Sequence, residues 1–270
     1  MSHFPGHKII LDASTSLHEI REQVLPSQGA ASLNLLASLE YPISSPPLAA
    51  LLKAYHQLEG EWVIASPIHW EATHNDAQIV AFGETLDVQE YDFQSYAQYL
   101  SEAGHTLFYH SPTIWLLRVD GAPPLHAKSV YQLLGKPLMP ELLQLDYSMY
   151  WQKYITESQM FFAAKMQDRA INGVWLWGNA PLSPKTTAIC ADATCYPLAQ
   201  HAQAPVTLYT PELSLKRFPI LLIKDLDSLS EAHKKQLKGM HSAYYWNNMA
   251  YINSKPHFLQ QLWSYLFHAY

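Results

Sequence analysis

Three stretches hold residue types that could do chemistry. His69, His74 and Asp76 set two imidazoles and a carboxylate in one short polar segment, the donor types that hold zinc. A polar loop carrying histidines is also an ordinary loop, and no metal is assigned from it. Asp12 is followed by Ser14, Thr15 and Ser16, a carboxylate with several hydroxyls close by in sequence. The same run suits a helix cap. The third stretch is "INGVWLWGNAPLSP", residues 171–184. A greasy segment there ends in Gly178-Asn179, a glycine that permits close backbone approach and an asparagine that tolerates the left-handed region. Glu157 stands apart from these. On a helix it shares a stripe with Tyr150, Tyr154 and Phe161, where a carboxylate needs a donor. No HExxH or paired CxxC occurs, and most of the 14 histidines are isolated. Neither a metal nor a cofactor is expected.

Bulk properties narrow the function classes. Of 270 residues 49% are apolar, enough for a large core and too many for a disordered chain. The net charge of −6 and dispersed Lys and Arg lack the basic footprint of a nucleic-acid binder. Lys234, Lys235 and Lys238 fall at helical spacing and read as a solvated face. Cys190 and Cys195 make no disulfide framework and are expected as buried, reduced thiols. No apolar run reaches membrane-spanning length and no secretory leader opens the chain, so the expected address is cytoplasmic.

The elements that must position these residues follow from periodicity and punctuation. Strands are expected at 8–12, 61–70 (ending at Pro67), 77–83, 171–177, 186–192, 206–210 and 218–225. A hairpin is expected at 105–119. Helices are expected from Ser16, over 32–40, 46–59, 90–104, 147–169 and 228–238, and after a cap at Asn253 or Ser254. Pro123, Pro124, Pro137 and Pro140 break residues 120–146 into an irregular crossover. Strands alternate with helices and several are apolar on both faces. The expected fold is therefore α/β, a mostly parallel central sheet flanked by helices on both faces with a small antiparallel elaboration, in one domain over residues 1–270. Strand 171–177 is expected at its centre, with Trp175 and Trp177 buried. Ligands of such sheets gather beyond the carboxyl ends of strands, where Gly178 and Asn179 would lie.

Three blocks carry a family resemblance. "NGVWLWGNAPL" resembles the Asn-x-apolar-Trp-Leu-Trp-Gly-Gly-Gly segment of the bacterial RpfE-type predicted regulatory proteins. It is also similar to a Trp-Leu-Trp-Gly-x-Gly segment of archaeal-type cofactor-independent phosphoglycerate mutases, which belong to the alkaline-phosphatase-like superfamily. "TESQM" (156–160) and "ASPIHWEATHNDAQIVAF" (65–82) resemble two further blocks of the regulatory family, in the same order. The departures are Gly178-Asn179-Ala180 for the glycine triplet, Ser66 for the Asp before proline and Thr156 for the Asn before Glu157. The downstream Asp-His segment of the mutases is absent.

The resemblance implies a phosphoglycerate-mutase-like core that has lost its metal-dependent apparatus, in a regulatory or binding protein. Its partner would be a small anion or a protein, without nucleic acid or membrane. The ligand-binding residues expected on this basis are His69, Glu157, Asn172, Gly178 and Asn179, lining one pocket. Two rival readings stay open: a working phosphomutase or phosphohydrolase with cryptic metal ligands, and an interaction module using the 17 tyrosines and 8 tryptophans.

Overall fold

The computed structural model describes residues 6–15, 24–74 and 76–253. Where the sequence reads as one domain, the chain divides into two compact units: Met1–Leu39 with Pro184–Tyr270, and Glu40–Ser183. The first unit opens with β1 (His7–Leu11), β2 (Val24–Leu25) and α1 (Ala31–Ser38). The chain then builds the whole second unit: α2 (Leu48–Tyr55), β3 (Trp62–Ala72), β4 (Ala77–Phe82), α3 (Glu90–Glu102), β5 (Leu107–Ser111), β6 (Ile114–Arg118), α4 (Met139–Leu142), α5 (Tyr150–Lys165) and β7 (Gly173–Trp177). It returns to the first unit with β8 (Ile189–Ala191), α6 (Tyr196–Ala199), β9 (Val206–Leu208), β10 (Ile220–Ile223), α7 (Glu231–Lys238), β11 (Ser242–Tyr245) and β12 (Ala250–Asn253).

The first unit is the mixed α/β part. Its sheet runs β2-β12-β11-β1-β10-β8-β9. The five strands from β11 to β9 are parallel, and β12 and β2 add an antiparallel edge. The inner strands are apolar on both faces because both are covered: Ile9, Ile10, Leu11, Ile189, Cys190, Ala191, Ile220 and Ile223 have no exposure. Alternate residues of β1 and β10, namely Ile9, Leu11, Leu221 and Ile223, meet Leu237 of α7 and Tyr244 of β11 in one core cluster. Helix α7 starts where Ser230 accepts a bond from the His233 amide, which satisfies an otherwise orphaned donor. The hairpin β11–β12 departs from the sequence reading, which has no strand over 242–253. Trp246 and Met249 close it around Asn247-Asn248, and Asn253, expected as a helix cap, is the last residue of β12. The helices expected from Ser16 and beyond Ser254 lie outside the described residues.

The second unit is built on an antiparallel sheet, so the expected hairpin at 105–119 is one corner of something larger. The long strand β3 is its axis. β6 pairs with Trp62–Ala65, β4 with Ile68–Ala72 and β7 with Ile64–Ile68. Ile64 and Ala65 have partners in both β6 and β7, which puts those strands on opposite edges of β3. Strand β7 is therefore antiparallel, with β3 as its one strand partner among the described residues, and not the central parallel strand its doubly apolar pattern implied. Its indoles are nevertheless fully buried. Trp175 donates Nε1–H to the Lys128 carbonyl at 2.9 Å and Trp177 to Ser66 Oγ at 2.9 Å, so neither leaves a polar group unpaired in the core.

Pro67 does not end β3. The Ile68 carbonyl accepts a bond from Asn172 N at 3.1 Å, so Ile68 faces β7 and its neighbour Pro67 faces the other edge. There β6 stops opposite Ala65 and β4 starts opposite Ile68. The missing N–H falls in that gap and breaks no ladder bond. Residues 120–146 are irregular apart from a short 3₁₀ turn and the four-residue α4. Their last carboxylate starts α5: Asp146 accepts bonds from the amides of Ser148 (2.6 Å), Tyr150 (3.1 Å) and Trp151 (2.8 Å). Burial would raise that carboxyl; these bonds outweigh it and hold it below the ordinary aspartate range.

Candidate functional site

The expected site residues all lie in the second unit, and each has a local partner. Asn172 immediately precedes β7. Its Oδ1 accepts from Trp70 N at 2.9 Å and its Nδ2 donates to Trp70 O at 2.8 Å. The side-chain amide thus acts as one more rung of the β3–β7 ladder, beside the bulge between His69 and Trp70. Gly178 has φ +80°, and a Cβ there would sit 2.8 Å from Ile64 Cγ1, so the position requires glycine on both counts. Its carbonyl accepts from Ala49 N at 2.9 Å, one of the donors that the first turn of α2 leaves open. Asn179 Nδ2 donates to the Leu125 carbonyl at 2.9 Å. At the two ends of the unit, the Tyr41 hydroxyl donates to Ser183 O at 2.7 Å and accepts from Ser183 N at 2.9 Å.

His69 and Glu157 sit elsewhere. His69 donates through Nδ1 to the carbonyl of Ala170. The carbonyl can only accept, so Nδ1 carries the hydrogen of that bond, and Nε2 lies 3.8 Å from Glu71 Oε1. Glu157 is exposed and 3.7 Å from Lys153, one helical turn back. The aromatic stripe is real for Tyr154, which is buried, but the helix turns Glu157 to solvent, so the donor it needed is water and a lysine. A cavity of about 590 Å³ opens in this unit, and Asn172 lines it. Neither that cavity nor a second one of about 370 Å³, lined by Arg118, Asp120 and Tyr150 among others, is lined by His69, Glu157, Gly178 or Asn179. Asp76 of the polar loop accepts three backbone bonds, from Ala77 (2.7 Å), Leu138 (3.1 Å) and Met139 (2.9 Å). These bonds, Met139's foremost, hold its carboxyl below the usual range. Its work is to fix residues 138–139 against the start of β4.

A polar cluster that sequence reasoning did not assemble lies in the first unit. Strand β1 has β10 on one side and β11 on the other, so three parallel strands end together at the carboxyl edge, where α/β sheets place their ligands. Three residues just past the carboxyl ends of these strands meet there. Lys224 Nζ donates to the Asp12 carbonyl at 2.9 Å and to Asp12 Oδ2 at 3.4 Å. Asn247 Nδ2 reaches Asp12 Oδ1 at 3.4 Å, and the Asn247 amide donates to Ala13 O at 2.9 Å. Asn248 closes the cluster through the amide and carbonyl of Thr15, at 3.0 and 2.8 Å. Asp12 and Lys224 are about half-exposed. Asn247 Oδ1 and the neighbouring Trp246 Nε1 are buried with no hydrogen-bond partner. The sequence does carry a signal for this: an Asn-Asn pair between two short runs rich in tyrosine is a hairpin turn, and Lys224 directly follows the apolar run of β10.

Two-metal chemistry does not fit this donor set. Asp12 is already engaged by an ammonium and an amide. Both oxygens of buried Asp192, which follows β8, accept backbone bonds, from Cys195 N at 2.8 Å and Lys224 N at 2.7 Å. Asp225 caps a 3₁₀ turn through Ser228 N at 3.0 Å, and Asp227 pairs with Lys234 at 2.9 Å. Among the described residues no three His, Cys, Asp or Glu side chains gather as a metal would need. Cys190 and Cys195 are buried and free. Burial pushes the Cys190 thiol up to about 11 and Cys195 well above its usual value, so neither supplies a thiolate nucleophile at neutral pH.

No family model matches the chain, so the RpfE-type membership expected from the sequence blocks gains no support from that comparison. No curated protein matches it either. Among solved structures it is similar to a cofactor-independent phosphoglycerate mutase from Thermoplasma acidophilum, at 12% identity and a TM-score of 0.34, over 94% of this chain and 80% of that one. That likeness is too distant to assign an activity. No helix among the described residues is long and apolar enough to cross a membrane.

Proposed function

We propose that this chain works by binding, as a regulatory protein that takes a small anion at the carboxyl edge of its parallel sheet, without metal-assisted phosphoryl transfer. The observation that carries this reading is the Asp12–Lys224 pair. A lysine ammonium has three donors, and two of those of Lys224 are used on Asp12. The third meets no acceptor among the described residues and is the one a ligand would take. The pair is half-exposed, and ion pairs of that kind are worth about 0–1 kcal/mol. An incoming phosphate or carboxylate can draw Lys224 away from Asp12 at small cost and replace it with a stronger charge-assisted bond. On this reading the core is phosphoglycerate-mutase-like, as the sequence blocks imply. The Lys224 ammonium takes the place on the Asp12 carboxylate that a metal would need.

The test is calorimetric titration with 3-phosphoglycerate and with inorganic phosphate, with and without chelator, alongside a turnover assay with added manganese. Binding that chelator leaves unchanged, that Lys224→Met weakens at least about tenfold, and that yields no product is the expected result. Manganese-stimulated turnover abolished by chelator would overturn the reading. So would the failure of both anions to bind.

A further inference from the structure

The 590 Å³ cavity of the second unit points to a second ligand, of opposite charge. We infer that it is a binding site for a small apolar amine, an aromatic or branched body carrying an ammonium group. The inference goes beyond the anion reading and concerns different residues.

The cavity has the size and lining of a small-molecule site. One wall is the end of β3, Trp70 to Ala72; the opposite wall is α5, with Ile155 and Ala163. Met139, Leu143 and Met149 close the rim and are all exposed. Large apolar side chains gathered at one mouth are unusual on a chain that meets only water, and methionines adapt to the shape of what they cover.

Its polar groups select the charge. Glu71 is the one ionisable side chain in the lining. It is 65% exposed, and His69 Nε2 lies 3.8 Å from it. The carboxylate is the one acidic group there, and no Lys or Arg lines the cavity to attract an anion. Within, the amide of Gln152 is fixed by its Nε2, which donates to Leu142 O at 2.7 Å. Its Oε1 is buried without a partner. A buried acceptor left unpaired is costly, so a ligand that opens this wall and brings an N–H to it would gain a bond. Asn172, also in the lining, is held in place by its two bonds to the Trp70 backbone.

Tryptamine has each feature: an apolar ring, a ring N–H and an ammonium. Indole-3-propionate keeps the ring and reverses the charge. Calorimetric titration of the full chain should show tryptamine binding and indole-3-propionate binding at least about fivefold more weakly, the scale of one exposed charge contact. Glu71→Gln, a change at an exposed position, should erase that preference. Ala163→Phe, which fills the cavity, should abolish tryptamine binding while the circular dichroism spectrum is retained. Equal affinity for the two indoles, no heat with tryptamine, or a preference that survives Glu71→Gln would each overturn the inference. Should Ala163→Phe disturb folding, the Glu71→Gln result decides alone. None of these outcomes bears on anion binding at Lys224.

Discussion

The two units place similar residues at strand ends and use them differently. In the parallel sheet of the first unit, Asp12, Lys224 and Asn247 lie past the carboxyl ends of β1, β10 and β11 and bond mainly to one another and to neighbouring loops. No tight turn claims the ends of β1 and β10, and the β11–β12 turn carries Asn247 beside them. In the antiparallel sheet of the second unit, Asn172 and Asn179 stand at either end of β7, and each amide is taken by backbone, of Trp70 and Leu125 respectively. Asparagine at a strand end is therefore a site residue or a structural rung according to whether a backbone group nearby lacks a partner.

Three substitutions break or sharpen that contrast. The largest effect is expected at Trp175, fully buried in β7. Trp175→Ala should cost about 3–5 kcal/mol in denaturant unfolding, with amide protection lost in β3, β6 and β7. A loss under about 1 kcal/mol would mean that β7 is not core. Asn172→Leu comes next. It removes both bonds to the Trp70 backbone and should cost about 1–3 kcal/mol, read as a shift of the urea midpoint at unchanged slope. If the variant were as stable as the parent, the rung would be ornamental and Asn172 free for a ligand. The smallest effect belongs to the first unit. Lys224→Met should change stability by no more than about 1 kcal/mol, because the pair it breaks is exposed, even as anion binding falls. A larger loss of stability than Asn172→Leu would reverse the comparison.

Much of the element list was legible. Strands β1, β4 and β10 and helices α1 to α3 fall where periodicity puts them, and Gly104, with φ +82°, ends α3 in the left-handed conformation that glycine favours. The hairpin β11–β12 went unread although Asn247-Asn248 marks its turn. Its short runs mix tyrosines with small residues and show no clean alternation. The candidate site was less legible than the fold, because Asp12, Lys224 and Asn247 are separated by more than two hundred positions of chain between the first and the last, and nothing local links them.

What the sequence determined by itself is which segments are buried. An apolar run of the right length must leave water whichever way it points, so "NGVWLW" was bound to be a core strand with its indoles inside. Direction and pairing were decided only in three dimensions. A strand apolar on both faces satisfies a covered parallel sheet and a covered antiparallel one equally, since burial is blind to the sense of the chain. Hydrogen-bond partners are not: Pro67 is tolerated in β3 because the edge it faces has a gap, and Asn172 became a rung because Trp70 lacked a backbone partner. Whether a polar side chain serves the fold or a ligand rests on that accounting, which the tertiary structure alone completes.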